Sequence, residues 1–252
     1  MPHYLTFALV APLASFGAIA VGERRSGWDR PGRSAVLGLV GACLGLERED
    51  DAAQAALAED YALALLCHAP GRLLADYHTA QVPSAQRGRR FATRAAELAT
   101  KDLNTILSRR DYRSDAWHLG ALWPRGAVPR WSLEELAAAM QRPSFVPYMG
   151  RKSCPLGLPL APAIAEAADA PTALAARHEA GAETAFRDRW LNTRPGAPKD
   201  PLIVTLDSAD AVDIAADDPR RLRTELRRDQ PRSRRRWQFD LREELVLQLA
   251  AP

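Results

Sequence analysis

The chain has 252 residues, a formal net charge of +3 and nearly half apolar composition, the ordinary balance of a globular protein long enough to bury a core. No run of 18 or more apolar residues occurs, so the sequence predicts no membrane-spanning helix. Met1 to Gly22 lacks a basic leader and carries Thr6, Pro12 and Ser15, so it does not read as a signal peptide. Cys43, Cys67 and Cys154 are too dispersed for a metal spacing and read as free thiols of a cytoplasmic protein.

Taken in chain order, Tyr4 to Val10 alternates as a strand, with Leu5, Phe7 and Leu9 on one face. A Gly/Pro-rich loop from Ala11 to Arg33 follows. Ser34 is the expected N-cap of a helix running to about Leu46. Ser34, Gly38, Gly41, Ala42 and Gly45 share one stripe of that helix. Glycine there costs roughly 1 kcal/mol per residue in propensity, so the stripe implies a close neighbour. Asp51 to Glu59 reads as a short helix and Tyr61 to Cys67 as a second strand.

From Leu74 to Ser114 the chain is polar and arginine-rich, with a helix expected near Thr93 to Leu107, which reads as an insertion projecting from the core. Alternation returns at Asp115 to Trp123. Ser132 then caps a helix from Leu133 to Met140, with Glu134 and Glu135 in its first turn. A Pro/Gly-dense loop, Arg142 to Pro159, precedes an alanine-rich stretch, Pro162 to Arg177, with helical character. Leu202 to Leu206, Trp237 to Leu241 and Glu244 to Leu249 read as strands. This order fits an α+β chain with a ferredoxin-like, RRM-type βαββαβ unit over residues 1–165, a thumb at about 74–114, and a smaller β-containing region over 166–252. The aromatic motif of an ordinary RRM is missing.

Charge is segregated along the chain. Nine arginines lie between Arg220 and Arg236, and five aspartates without a basic residue lie between Asp207 and Asp218. That pattern suggests an anion-binding face and a surface for a basic neighbour. With only three lysines present, arginine richness alone also fits a coding bias.

Three constellations carry chemistry. Arg24, Arg25, Arg30, Arg33 and Ser34 surround Trp28 just before a helix N-terminus, a suitable anion site with a stacking ring; a solvated loop is the plain alternative. Asp76-Tyr77-His78-Thr79 offers a Tyr-His pair for acid-base work or base stacking, or is a structural turn. In the third, Tyr148, Arg151, Lys152 and Ser153 flank Gly150, a turn where amides nest around a phosphate. Arg87, Arg89 and Arg90 add charge in the insertion. No metal, nucleophile or Walker signature occurs, and no cofactor is expected.

Together, Ala11-Pro12-Leu13-Ala14-Ser15-Phe16-Gly17, Pro31-Gly32-Arg33-Ser34 with Gly38 to Gly45, Asp76 to Thr79, and Tyr148-Met149-Gly150-Arg151-Lys152-Ser153-Cys154-Pro155 resemble the CasD subunits of type I-E Cascade, in the RAMP superfamily of CRISPR proteins. The resemblance covers about the first 160 residues. It implies a non-catalytic subunit that holds the 5′ handle of the crRNA and caps one end of the complex. Implied partners are the large subunit CasA and backbone subunit CasC, CasE through the crRNA, and target DNA through the assembly. The alternative is a metal-independent endoribonuclease that processes precursor crRNA, using Tyr77, His78 and Lys152. A third reading is a stand-alone single-strand-binding module, which the acidic segment disfavours.

Overall fold

The computed structural model describes residues 1–17, 20, 22–84, 90–191 and 201–249. Its strands and helices are β1 (His3–Ala14), β2 (Arg24–Arg25), α1 (Arg33–Leu44), α2 (Asp51–Asp60), β3 (Tyr61–Ala69), β4 (Arg72–Pro83), α3 (Arg94–Leu98) and β5 (Leu103–Pro124). There follow α4 (Leu133–Gln141), β6 (Ala163–Glu166), α5 (Ala170–Ala180), α6 (Thr184–Trp190), β7 (Leu202–Asp207), β8 (Arg221–Ser233) and β9 (Gln238–Leu249). They form a mixed α/β structure around a large sheet ordered β6-β1-β5-β3-β7-β9-β8, with antiparallel pairing along that path.

β1 lies inside the sheet between β6 and β5, and both of its faces are buried. Leu5, Phe7 and Leu9 pack with Leu37, Val40 and Cys43 of α1, Leu57 of α2 and Leu136 and Met140 of α4. Tyr4, Ala8 and Val10 pack on the other face with Trp117, Leu119, Val204, Leu247 and Leu174 of α5. The alternation of Trp117, Leu119 and Ala121 on β5 thus lands on one apolar layer, as the sequence predicts. On α4, Ser132 and Glu135 form the reciprocal capping box, a device worth about 1 kcal/mol.

Several expectations change. α1 starts at Arg33 with Gly32 as N-cap, and the Ser34 hydroxyl caps nothing. The carboxylate of Asp229 on β8 accepts from the Arg33 amide at 2.8 Å instead, so a residue far along the chain satisfies the helix terminus. Gly38 leaves space for the guanidinium of Arg234, whose Nη1 would lie 2.9 Å from a Cβ added there. That is the close neighbour the glycine stripe implies.

The helix expected at Thr93 to Leu107 shrinks to α3. Most of the remaining insertion is a two-stranded ribbon in which β4 and β5 pair from Arg72↔Ser114 to Pro83↔Leu103. Both of its faces are largely exposed, so no apolar alternation marks it in the sequence. β8 lacks that mark for another reason: its inward positions are charged. Pro162 to Arg177 divides into β6 and α5, with Asp169 capping the helix at the Thr172 amide. Trp237 to Leu241 and Glu244 to Leu249 merge into β9 apart from Trp237, which precedes it. The boundary at residue 165 falls inside β6, and β3 hydrogen-bonds to β7, so both segments share one sheet.

Candidate nucleic-acid interface

The first constellation divides into buried and exposed arginines. Arg30 is 3 % exposed, and its Nε and Nη2 donate to Glu244 at 3.0 and 2.7 Å, with Nη1 on Asp29 at 2.8 Å and Nη2 also meeting Glu225. Arg227 and Arg242 join the same cluster. Arg242 donates to Asp229 at 2.6 and 3.0 Å and to Glu244 at 2.6 Å, while Arg227 lies 3.3 Å from Glu244. The Arg30 and Arg227 guanidiniums sit 5.8 and 4.5 Å from the centroid of the Trp28 ring. Burial alone would raise the Asp229 carboxyl. Hydrogen bonds and charge from Arg242, helped by Arg227 and the Arg33 amide, outweigh it and hold Asp229 below the usual carboxylate value.

Arg33 is buried as well, its Nη2 donating to the carbonyls of Ala58 and Tyr61 at 2.9 and 2.6 Å. Burial lowers its guanidinium to about 10, still protonated at neutral pH. Arg30 and Arg33 therefore belong to the interior rather than to a ligand, and Trp28 is already stacked. Asp229 likewise occupies the helix N-terminus that an outside anion would need. Ser34 is half-buried, and its carbonyl accepts from Arg234. The sequence points to an anion site here because the counter-charges from Glu225, Asp229 and Glu244 lie 195 to 214 residues away.

Arg24 and Arg25 stay near the surface. As β2 they pair in parallel with Arg109 and Arg110 of β5, whose other edge carries β4. β5 thus aligns three segments at the base of the ribbon: Arg24-Arg25, Arg109-Arg110 and Asp76-Tyr77. Register assigns the faces. Tyr77 is opposite Arg109 and shares its face, whereas His78 is opposite Ser108, and Asp76 opposite Arg110. Tyr77 and His78, adjacent on one strand, therefore point to opposite faces and cannot act on one reacting atom. His78 pairs with Asp76 on its own face, and Tyr77 is 63 % exposed. Thr79 is exposed opposite Leu107. Arg24 and Arg109 flank the buried Asp111 at 3.9 and 4.0 Å, distances that leave their guanidiniums largely toward solvent.

The third constellation docks beside this base. The Ser15 amide donates to the Met149 carbonyl at 3.0 Å, and the Ser15 hydroxyl reaches the Asp111 carbonyl at 3.4 Å. Gly150 has φ +89°, and a Cβ there would lie 1.8 Å from the Ser15 carbonyl oxygen, so only glycine allows this approach. The turn closes with the Met149 amide donating to the Cys154 carbonyl and the Cys154 amide to the Arg151 carbonyl, both at 2.8 Å. Arg151 stacks over Tyr112 of β5 at 4.6 Å, and its Nη1 has no hydrogen-bond acceptor among the described residues. Lys152 and Ser153 are exposed on the turn, and Tyr148 is at its margin.

Arg90 is exposed, while Arg87 and Arg89 lie outside the described residues. Sequence reasoning missed Arg109, Arg110 and Tyr112 as members of this site. Their charge is visible in the sequence, but only the strand register places them against Arg24, Tyr77 and Arg151. The acidic segment is partly internal too: Arg125 pairs with Asp210 at 2.6 Å and Asp207 at 3.8 Å, and Arg220 with Asp218 at 2.8 Å. Asp213 and Asp217 remain exposed. Among the described residues no group of three or more His, Cys, Asp or Glu could hold a metal, and no helix is long and apolar enough to cross a membrane.

The chain thus has an antiparallel-sheet core that carries a basic ribbon and a glycine-pinned basic turn, and comparisons with known proteins give its family. The family model described as CRISPR-associated protein (Cas_Cas5) matches residues 4–243, so the chain belongs to the Cas5 family of CRISPR-associated proteins. The CRISPR system Cascade subunit CasD of Escherichia coli (strain K12) is 33 % identical over 184 residues, covering 69 % of this chain and 76 % of that relative. The resemblance to CasD read from the motifs is thereby borne out. Two solved structures share the fold. A chain of a CRISPR RNA-guided surveillance complex has a TM-score of 0.61 at 19 % identity, covering 99 % of this chain and 91 % of that one. A structure titled as a Cas protein has a TM-score of 0.55 at 22 % identity, covering 99 % and 95 %.

Proposed function

We propose that this protein is a non-catalytic subunit of a type I-E Cascade complex that holds the 5′ handle of the crRNA and caps the end of the assembly in the cytoplasm. The observation that carries the reading is the arginine belt around β5, which sets Arg24 and Arg109 on the face of Tyr77 and Arg25 and Arg110 on the face of Tyr112, where Arg151 stacks. Exposed and half-buried arginines on paired strands suit phosphate contacts, which supply most of the affinity, and Tyr77 suits a splayed base. Arg90, Thr79, Tyr148 and Ser153 extend this surface. CasA, CasC, target DNA and, through the crRNA, CasE are the partners that the family membership supports. The order β6-β1-β5-β3, with α1 and α4 in the crossings, supports reading the N-terminal part as a ferredoxin-like βαββαβ unit.

The endoribonuclease alternative is weakened by geometry, since Tyr77 and His78 face opposite sides of the ribbon. The test is a mobility-shift and cleavage assay on repeat-derived RNA, with and without divalent metal. Binding without cleavage is expected in both. Repeat-specific cleavage abolished by His78→Ala would overturn the proposal in favour of the enzyme.

A further inference from the structure

The turn between β8 and β9 is a second charged region that the ribbon base does not explain. Arg232, Ser233, Arg235, Arg236 and Gln238 line an open recess of about 420 Å³, with Asp51 of α2 on its wall. No described residue meets the guanidiniums of Arg235 and Arg236 with a carboxylate or a hydrogen bond, and both are exposed. Arg232 reaches Asp240 only at 3.9 Å. Next to them Trp237 is 60 % exposed at φ +55°, a backbone conformation rare for a bulky residue. Its ring packs edge-on against Phe239 at 5.5 Å, and Arg48 lies over it at 4.9 Å.

The turn is braced rather than loose. The Trp237 amide donates to the Arg234 carbonyl at 3.3 Å and the Arg236 amide to the Ser233 hydroxyl at 3.1 Å. Arg234 itself turns inward to the Ser34 carbonyl of α1, leaving Arg235 and Arg236 outward. Gathering uncompensated guanidiniums beside an exposed indole has an electrostatic cost that an outside anion would relieve. The combination matches single-stranded nucleic acid, which presents phosphates every few ångströms and planar bases between them. A purely acidic protein partner would make no use of the held-out ring.

We propose that the β8–β9 turn is a second contact for a single nucleic-acid strand, with phosphodiesters in the recess against Arg232, Arg235 and Arg236 and a base stacked on Trp237. This goes beyond the handle proposal, because β8 is the far edge strand of the sheet order and this turn shares no residue with the ribbon base. The test uses the full chain and fluorescein-labelled 12-nucleotide oligouridine and oligothymidine. Arg235→Ala/Arg236→Ala should weaken binding at least tenfold and lower the salt slope by about 1.4, some 0.7 for each of two single-strand phosphates no longer neutralised. Trp237→Ala should cost about tenfold and Trp237→Phe should restore most of it, with melting temperatures unchanged in all three. Losses with RNA only assign the turn to a guide strand; losses with both probes assign it to either kind of strand. Wild-type affinity in Arg235→Ala/Arg236→Ala and Trp237→Ala would overturn the proposal, whatever Arg24→Ala/Arg25→Ala does in parallel. So would a loss of poly-glutamate binding in the arginine variant with Trp237→Ala silent, which would mark an acidic-protein surface.

Discussion

Two arginine-rich regions of this molecule look alike in sequence and behave oppositely in the fold. Around Trp28, Arg30, Arg227 and Arg242 are desolvated and matched by Glu225, Asp229 and Glu244. At the ribbon base, Arg24, Arg25, Arg109 and Arg110 line the edges of exposed strands, with Asp76 and the buried Asp111 nearby. The first group joins β8 and β9 to the N-terminus of α1; the second faces solvent wholly or in part. What separates them is whether folding supplies a carboxylate, which depends on residues far away in the chain.

The comparison is most sharply tested by breaking the buried cluster. Glu244→Ala leaves three buried guanidiniums short of a counter-charge and should cost about 3–5 kcal/mol, read from urea or thermal unfolding. A loss below about 1 kcal/mol would mean that the cluster is wetter than its geometry implies.

Leu37→Ala comes next. Leu37 is 2 % exposed under α1, so the cavity should cost about 2–5 kcal/mol. Replacing residues 80–106 by a short turn should, by contrast, leave the melting temperature nearly unchanged, because the described part of that segment is largely exposed and pairs within the ribbon. Thr79 and Leu107 are retained so that β2 keeps its partners Arg109 and Arg110. Unfolding of the shortened chain would show that the ribbon belongs to the core.

These elements also show what the sequence can convey. β1, β3, α2, α4 and the inward face of β5 are legible because apolar periodicity reports burial directly. The ribbon is legible as a projection, from its composition, but not as paired strands, because neither face is buried. β8 is illegible since its interior is ionic: Arg227 and Asp229 read as part of an anion-binding face until Arg242 and Glu244 are set beside them. For the site, the motifs at Arg24-Arg25, Asp76 to Thr79 and Tyr148 to Ser153 can be found singly. Their junction through Arg109, Arg110 and Tyr112 depends on register, which no local pattern encodes. Arg30 and Arg33 are misassigned from sequence for the same reason.

Acid should separate the two regions more gently. Asp229 and Glu225 are held below the ordinary carboxylate value by their arginine partners, against the opposing effect of burial. A depressed folded-state value means the unfolded chain takes up protons first. Their stabilisation is therefore complete above the unfolded carboxylate range, about pH 4, and is lost as pH falls through the folded values. Melting temperature followed from pH 6 to 3 should drop more steeply for wild type than for Asp229→Asn, whose starting stability is lower.

The smallest stability effect is expected where the functional effect is largest. Arg24→Ala/Arg25→Ala/Arg110→Ala removes one exposed and two half-buried side chains outside the core and should shift unfolding by about 0.5 kcal/mol or less. The decisive measurement is the salt dependence of this variant's affinity for repeat-derived RNA, taken beside its melting curve. If these arginines face phosphates, the slope of log affinity against log salt should flatten by about 2, some 0.7 for each phosphate no longer neutralised, while melting stays in place. An unchanged slope would contradict the division drawn here, leaving the ribbon-base arginines as solvated charges and the handle to be held elsewhere.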